Sequence, residues 1–403
     1  MKGQHSFGLN LSWLRVTTVF LIDLAILRLA GHWPTEPGSP ARAWWPGVGV
    51  AVVVTAAALI THRRVPLTSI VLARVLDRFA NPATFLNEGC TPGFDHRRRY
   101  SHDVVGLREH RGQLVTVIAV APPPAASGRH ARRHQPLGAL PAGLAAAALR
   151  QFDVRLDGID IVSVRTCDTT CDATSDGDTD TGPAEDEQAT AVPDTAGPRD
   201  TWLILRMDPM RNAEAVAVRD SVAATLAAAT ERLAQTLQER HIVTRVLPAE
   251  EFGQVDATVL AGLQPTRIRR RRRRLKQQHR KGPRQYAATF WMSPRDITTA
   301  NLEQLWQRAA DTTAVTVRLI AQHDHTDVSV LVRYHTGSRL RRNMWAGLNR
   351  LNGRQLTALR TSLPTPMRRT LAVPARQLDD HEPLQVPLGP TAQQPLARVK
   401  LPA

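Results

Sequence analysis

The side chains able to do chemistry fall into a few short stretches. The run PTRIRRRRRRLKQQHRKGPRQY (265–286) holds eleven Arg or Lys from Arg267 to Arg284 and no acid. Arg269, Arg270, Arg271, Arg272, Arg273 and Arg274 are consecutive, a pattern that attracts phosphates, anionic headgroups or acidic protein. DHRRRYSHD (95–103) packs Asp95, Arg97, Arg98, Arg99 and Asp103 into nine residues. They either brace a loop through an internal Arg–Asp network or contact anionic lipid or an acidic partner. Cys167-x-x-x-Cys171 and His323-Asp324-His325 contain metal-ligand types, but neither has a second half-site to complete a cage. The histidine cluster reads as an exposed hairpin turn. Asp23 interrupts an apolar segment; such carboxylates rarely face lipid, so a helix of another subunit is its expected partner, with Thr17, Thr18 or backbone as the alternative.

No phosphate-binding loop, HExxH or GxSxG is present, so a catalytic reading has no site to stand on. No cofactor or metal is expected. Three cysteines (Cys90, Cys167, Cys171) are too few for a disulfide-stapled fold and fit a reducing compartment. The formal net charge is +16, and the arginine run supplies +11 of it, leaving +5 for the rest. Basicity is therefore local. An opposite lies within the same chain, since residues 167–194 hold nine acids and no base. Two such segments can screen each other loosely.

These groups must be positioned by elements of two kinds. At the N-terminus, LSWLRVTTVFLIDLAILRLA (11–30) and WWPGVGVAVVVTAAALI (44–60) each have the length that a helix needs to cross a bilayer, the first with Asp23 as its one awkward residue. The predicted anchor is residues 1–64, with spanning helices at about 11–30 and 44–60. Lys2 precedes the pair and Arg63, Arg64, Arg74 and Arg78 follow it, whereas the loop holds only Arg42. The bias places both termini and the main domain in the cytoplasm, in a multi-pass protein of the inner (plasma) membrane.

The remainder reads as an α/β (or α+β) domain over 65–375, followed by a Pro-rich tail, 376–403. Strands are expected at 114–120, 159–166, 201–207, 243–247, 286–292, 314–320 and 328–334. Helices are expected at 138–150, 212–240, 249–263, 299–310 and near 353–362. The strand at 201 with its following helix and strand is compatible with a parallel βαβ unit. Segments 121–137, 167–199 and 265–284 read as disordered insertions.

SFGLNLSWLRVTTVFLIDLAIL, RRVPLTSIVLARVLDR (63–78) and GCTPGFDHRRRYSHDVVGLREHRGQLVTVIAV (89–120) together resemble EccE, the membrane component of mycobacterial type VII (ESX) secretion systems, closest to the ESX-five branch. The resemblance is strongest over residues 1–120. It implies two transmembrane helices, a cytosolic domain, and assembly with EccB, EccC and EccD in an inner-membrane complex, with EccD the nearest partner. It implies no enzymatic role and no cofactor, and so a scaffold subunit. The competing reading is a membrane-tethered polyanion-binding protein acting through 267–284. Against nucleic acid, no aromatic residue lies between Phe252 and Tyr286 to stack on bases.

Overall fold

The computed structural model describes residues 7–9, 13–32, 45–62, 65–88, 90–97, 104–121, 138–167, 199–219, 221–271, 273–277, 285–308, 310–322, 324–338, 340–367, 371–379 and 382–389. A short strand β1 (Phe7–Leu9) precedes two helices, α1 (Trp13–Gly31) and α2 (Trp45–Leu59), which pack against each other. Strands β2 (Ile60–His62) and β3 (Val65–Pro66) close a small sheet with β1 and lead into α3 (Leu67–Phe79) and α4 (Pro82–Asn87).

The body then follows. Its first half contains β4 (Phe94–Arg97), β5 (Val104–His110), β6 (Gln113–Ala121), β7 (Gly138–Pro141), α5 (Ala142–Ala147), β8 (Arg150–Gln151) and β9 (Val154–Arg155). It continues with β10 (Gly158–Thr166), β11 (Asp200–Met207), α6 (Ala213–Ala217), α7 (Val222–Glu239), β12 (Val243–Val246) and α8 (Phe252–Leu260). The second half contains β13 (Ile268–Arg271), β14 (Arg274–Gln277), β15 (Gln285–Met292), α9 (Thr299–Gln304), β16 (Thr312–Ala321) and β17 (Thr326–Thr336). It ends with β18 (Leu348–Arg350), α10 (Gln355–Thr361), β19 (Arg376–Leu378) and β20 (Gln385–Gly389).

One sheet dominates, in the order β13-β14-β15-β17-β16-β10-β11-β6-β5-β4, with β12 on β6, β18 on β15 and β19 on β17. The strand pairs described in it are antiparallel. That corrects the expected parallel βαβ unit. Strands β11 and β12 do run the same way, but β6 lies between them and pairs antiparallel with both.

The order also shows an internal repeat. In the first half, β6 pairs with β11 and β11 with β10; β5 sits on the start of β6, and β12 on its end. In the second half, β15 pairs with β17 and β17 with β16; β14 sits on the start of β15, and β18 on its end. Edge strands β4 and β13 correspond, as do crossover helices α5 and α9. The halves join through β10 and β16, Ile159 opposite Leu319 and Thr166 opposite Thr312, so an approximate two-fold relates them.

The central strands are buried on both faces, unusual for an antiparallel sheet, which commonly leaves one face wet. Ile159, Ile161, Leu203, Leu205, Val317 and Val330 pack under α5, α7 and α9, through Ala142, Leu226, Leu233, Leu302 and Trp306. Val115, Val117, Val162 and Ile204 pack under α4, α8 and α10, through Leu86, Phe252, Val259, Leu356 and Leu359. Each such aliphatic side chain contributes about 1.5–3 kcal/mol on burial.

Several expected boundaries shift for identifiable reasons. The single helix expected at 212–240 is divided, because Ser221 caps α7 by accepting from Ala224 N at 3.0 Å. Residues 138–141 are strand rather than helix and pair with β20, so residues 376–378 and 385–389 are built into the domain instead of trailing as a tail. The arginine run is likewise not an unstructured insertion over 268–271 and 274–277: β13 and β14 pair at an edge of the main sheet. Ile268, Leu275 and Gln277 point inward and pin it. Residues 122–137, 168–198, 278–284 and 390–403 lie outside the described residues.

Among the described residues no helix is long and apolar enough to cross a membrane. Helix α1 has 19 residues but carries Arg15, Asp23 and Arg28, while α2 is uncharged but has only 15. At 1.5 Å per residue α2 rises about 22 Å, short of a hydrocarbon core of about 30 Å. The expected span at 44–60 is therefore not reached by helix alone, and that at 11–30 has the length but is interrupted by charge.

Candidate functional site

Three strands that read as plain apolar runs each bury a charge on the α8/α10 face of the sheet. Asp160 on β10, Arg206 on β11 and Arg318 on β16 are almost wholly buried. Arg318 donates from Nε and Nη2 to Asp160 Oδ1 and Oδ2 at 2.7 and 3.0 Å, and Arg206 Nε donates to Oδ2 at 2.9 Å. Burial alone would raise the Asp160 carboxyl, but the Arg318 and Arg206 guanidiniums reverse this and hold it below the ordinary carboxylate range.

The spare arginine donors fasten the segment after α10. Arg206 donates to the carbonyls of Thr361, Leu363 (2.9 Å) and Thr365. Arg108 of β5 donates to Pro364 O at 2.9 Å and Asp256 Oδ2 at 3.0 Å. Arg333 of β17 donates to Ser362 Oγ at 2.6 Å, to Val259 O and to His335 Nε2 at 2.9 Å. All five residues from 361 to 365 are thus held by arginines on one sheet face. Such chains of buried, interlinked polar groups strengthen one another and favour a single arrangement.

At the ends of these strands lies a cleft of about 1050 Å³. Arg206 and Arg318 line it, with Arg211 and the acids Glu109, Asp157 and Asp208 around them. Three guanidiniums meet three carboxylates, so the lining is formally neutral. Arg318 Nη1 is buried with no hydrogen-bond partner among the described residues. Ser221 also lines the cleft, but its oxygen caps α7 and no base stands beside it. Nothing here assembles a nucleophile and its base.

A second cavity, of about 680 Å³, is different in charge. Arg74 and Arg78 from α3 face Arg269 and Arg271 from β13, with Asp77 the one acid among its lining residues. Asp77 is committed elsewhere: it accepts from Leu356 N at 3.2 Å and Thr357 Oγ1 at 2.7 Å, capping α10 from outside its own helix. Arg74 Nε donates to Asn352 O at 3.1 Å and its stem lies against Gly353. That glycine has φ +74°, and a Cβ there would sit 2.8 Å from Arg74 Cγ. Burial, and then Arg74, lowers the neighbouring Arg354 to about 10.

The family model described as "Putative type VII ESX secretion system translocon, EccE" matches residues 195–292, from the approach to β11 through β15. Over 399 residues the chain is 45% identical to the ESX-5 secretion system protein EccE5 of Mycobacterium marinum, covering 98% of each chain. Over 398 residues it is 46% identical to the protein of the same description from Mycobacterium tuberculosis, covering 96% of this chain and 97% of that one. The chain belongs to the EccE family. It is a type VII secretion component, and the resemblance read from residues 1–120 extends over almost the whole length.

In this EccE chain the predicted site residues scatter rather than converge. Asp23 meets a partner inside its own hairpin: Thr55 Oγ1 on α2 donates to Asp23 Oδ2 at 2.5 Å, while Oδ1 is buried with no partner among the described residues. Asp95 accepts from Ala249 N at 2.8 Å, tying β4 to the turn before α8. Arg97 ends β4 and is exposed. Arg98, Arg99, Asp103 and Arg272 lie outside the described residues, as do His323 and Cys171. Arg270 belongs to β13, Arg269, Arg271 and Arg273 are exposed, and Arg274 stacks on Tyr286 at 4.9 Å. His325 sits in the β16–β17 turn, paired with Asp324 at 2.6 Å.

The buried network was missed, although its signal is in the sequence. Arg206 in TWLILRM, Arg318 in AVTVRLI and Arg333 in VSVLVRY are single charges within apolar strands, and IDIVSVRT carries Asp160 with Arg165 near its end. A charge at such a position must be paired to be buried.

Proposed function

We propose that the chain is a non-catalytic scaffold subunit of the type VII membrane complex. The α1–α2 hairpin is its membrane anchor and the antiparallel domain its cytoplasmic docking body. The observation that carries this is apolar exposure on the hairpin. Trp13 (82%), Phe20, Leu21, Leu24, Leu29, Trp45, Val52 and Val53 are all exposed, on a scale that water-facing helices do not sustain. Lipid, partner helices or both cover them. Extended Ile60 continues the second apolar segment beyond its 15 helical residues, and Trp13 and Trp45, at the segment starts, suit the headgroup level that indoles favour.

Within that reading the Asp23–Thr55 contact steadies the pair, and the unpartnered Asp23 Oδ1 is the point at which a neighbouring subunit's helix docks. EccD is the proposed nearest neighbour, with EccB and EccC in the same assembly. The test is a pull-down of the tagged chain in mild detergent from membranes producing the whole system. Co-purification of EccD, EccB and EccC is expected. Recovery of the chain alone, from membranes that contain the others, would overturn the scaffold reading.

A further inference from the structure

The arginine run lies far from the hairpin in sequence, yet the fold returns part of it to the hairpin's exit. Seven residues, 60–66, separate α2 from α3, and the two helices touch. Helix α3 has three distinct sides. Asp77 is buried and holds it to α10. Val71, Leu72, Val75 and Phe79 (82% exposed) lie on a second side that no described residue covers. At about 100° per residue these four fall within an arc of about 100°. Arg74 and Arg78 lie on the shoulder between that arc and Asp77, facing Arg269 and Arg271 across the 680 Å³ cavity.

From this we propose that α3 and β13 form a binding site for the headgroup of an anionic phospholipid. The exposed apolar arc of α3 enters the interfacial layer, and Arg74, Arg78, Arg269 and Arg271 surround the phosphate. The inference rests on the hairpin being a membrane anchor. Four guanidiniums against one committed carboxylate give the cavity the charge an anionic headgroup requires. Arginine forks match phosphate oxygens, and the uncovered apolar row beside them matches the acyl boundary and not a soluble anion. Nucleic acid would find the charge but no use for Val71, Leu72, Val75 and Phe79.

The test uses the full chain in lipid nanodiscs, in a background with Cys90, Cys167 and Cys171 changed to serine and a fluorophore at Phe79→Cys. Discs contain phosphatidylcholine alone or with about 30% phosphatidylglycerol, plus a headgroup-level quencher. Quenching should be several-fold stronger with the anionic lipid. Each guanidinium at such a surface strengthens association about fivefold. R78Q/R269Q/R271Q, which spares the packed Arg74, should therefore remove nearly all of the quenching difference between the two discs. Equal quenching in both discs, or a triple variant that behaves like the parent, overturns the site. Loss of the quenching difference on adding single-stranded RNA, but not inorganic phosphate, also overturns it and reassigns the arginines to nucleic acid. Co-elution of chain and discs is read first. A chain that elutes apart from them refutes the anchor and the site together, whereas co-elution with lipid-independent quenching refutes the site alone.

Discussion

Asp160 and Arg318 stand directly opposite each other across the β10–β16 pair, and two nitrogens of the guanidinium grip the carboxylate at 2.7 and 3.0 Å. Because β10 and β16 are the strands by which the two repeats abut, the seam of the domain is held by a buried ion pair as well as by its ladder.

Asp160→Asn should therefore be severe. It leaves Arg206 and Arg318 charged and buried without their anion, and breaking a buried pair from one side costs about 3–5 kcal/mol. Denaturant unfolding of the detergent-solubilised chain measures it, and a midpoint equal to the parent's would contradict the account.

Arg206→Lys keeps the charge but loses the fork that reaches three carbonyls. Residues 361–365 should then loosen while the strands stay protected. Hydrogen exchange should rise by roughly tenfold or more in peptides covering 361–367, with β10 and β16 unchanged. Uniform protection would show that Arg206 is not what fastens the segment.

Asp77→Ala removes the cap that α3 supplies to α10, with an expected loss of about 0.5–2 kcal/mol. It also leaves Arg74 as the remaining polar tie described between α3 and the body, so proteolysis between α3 and α4 should quicken in the variant. An unchanged cleavage rate would mean that other contacts hold α3.

Stability should fall in mild acid. His335 is buried and held neutral, its pKa well below the ordinary histidine value through burial and then the Arg333 charge. Arg333 Nε donates to His335 Nε2, which needs that nitrogen's lone pair. With the folded value depressed, the unfolded chain takes up the proton first. Stability is full above about pH 6.5 and declines as pH drops below that toward the folded value. His335→Gln keeps an acceptor and should flatten the decline; a slope that persists would place it on other groups.

Much of this architecture was legible. Runs such as IDIVSVRT and TWLILRM announce buried strands, and the apolar pair of segments announces a helical hairpin. What was not legible has physical reasons. Which strands pair depends on contacts between residues far apart in the chain, 158 positions for Asp160 and Arg318 and about 250 for Gly138 and Gly389, and no local pattern encodes them. The arginine run misled because its charge masks its alternation: Leu275 and Gln277 point inward while Arg274 and Lys276 are half-exposed. Ser221 inside an alanine-rich stretch was the signal for dividing the helix at 212–240.

The doubled arrangement of strands has a consequence for spacing. The two outer hairpins, β4–β5 and β13–β14, end opposite edges of a sheet ten strands wide along its main path. At about 4.8 Å per strand the edges are up to about 43 Å apart, less whatever the twist takes back. One edge carries Asp95 and Arg97 and the other the arginine hairpin. A rigid, hydrogen-bonded ruler with chemically unlike ends can fix the distance between two neighbours while telling them apart.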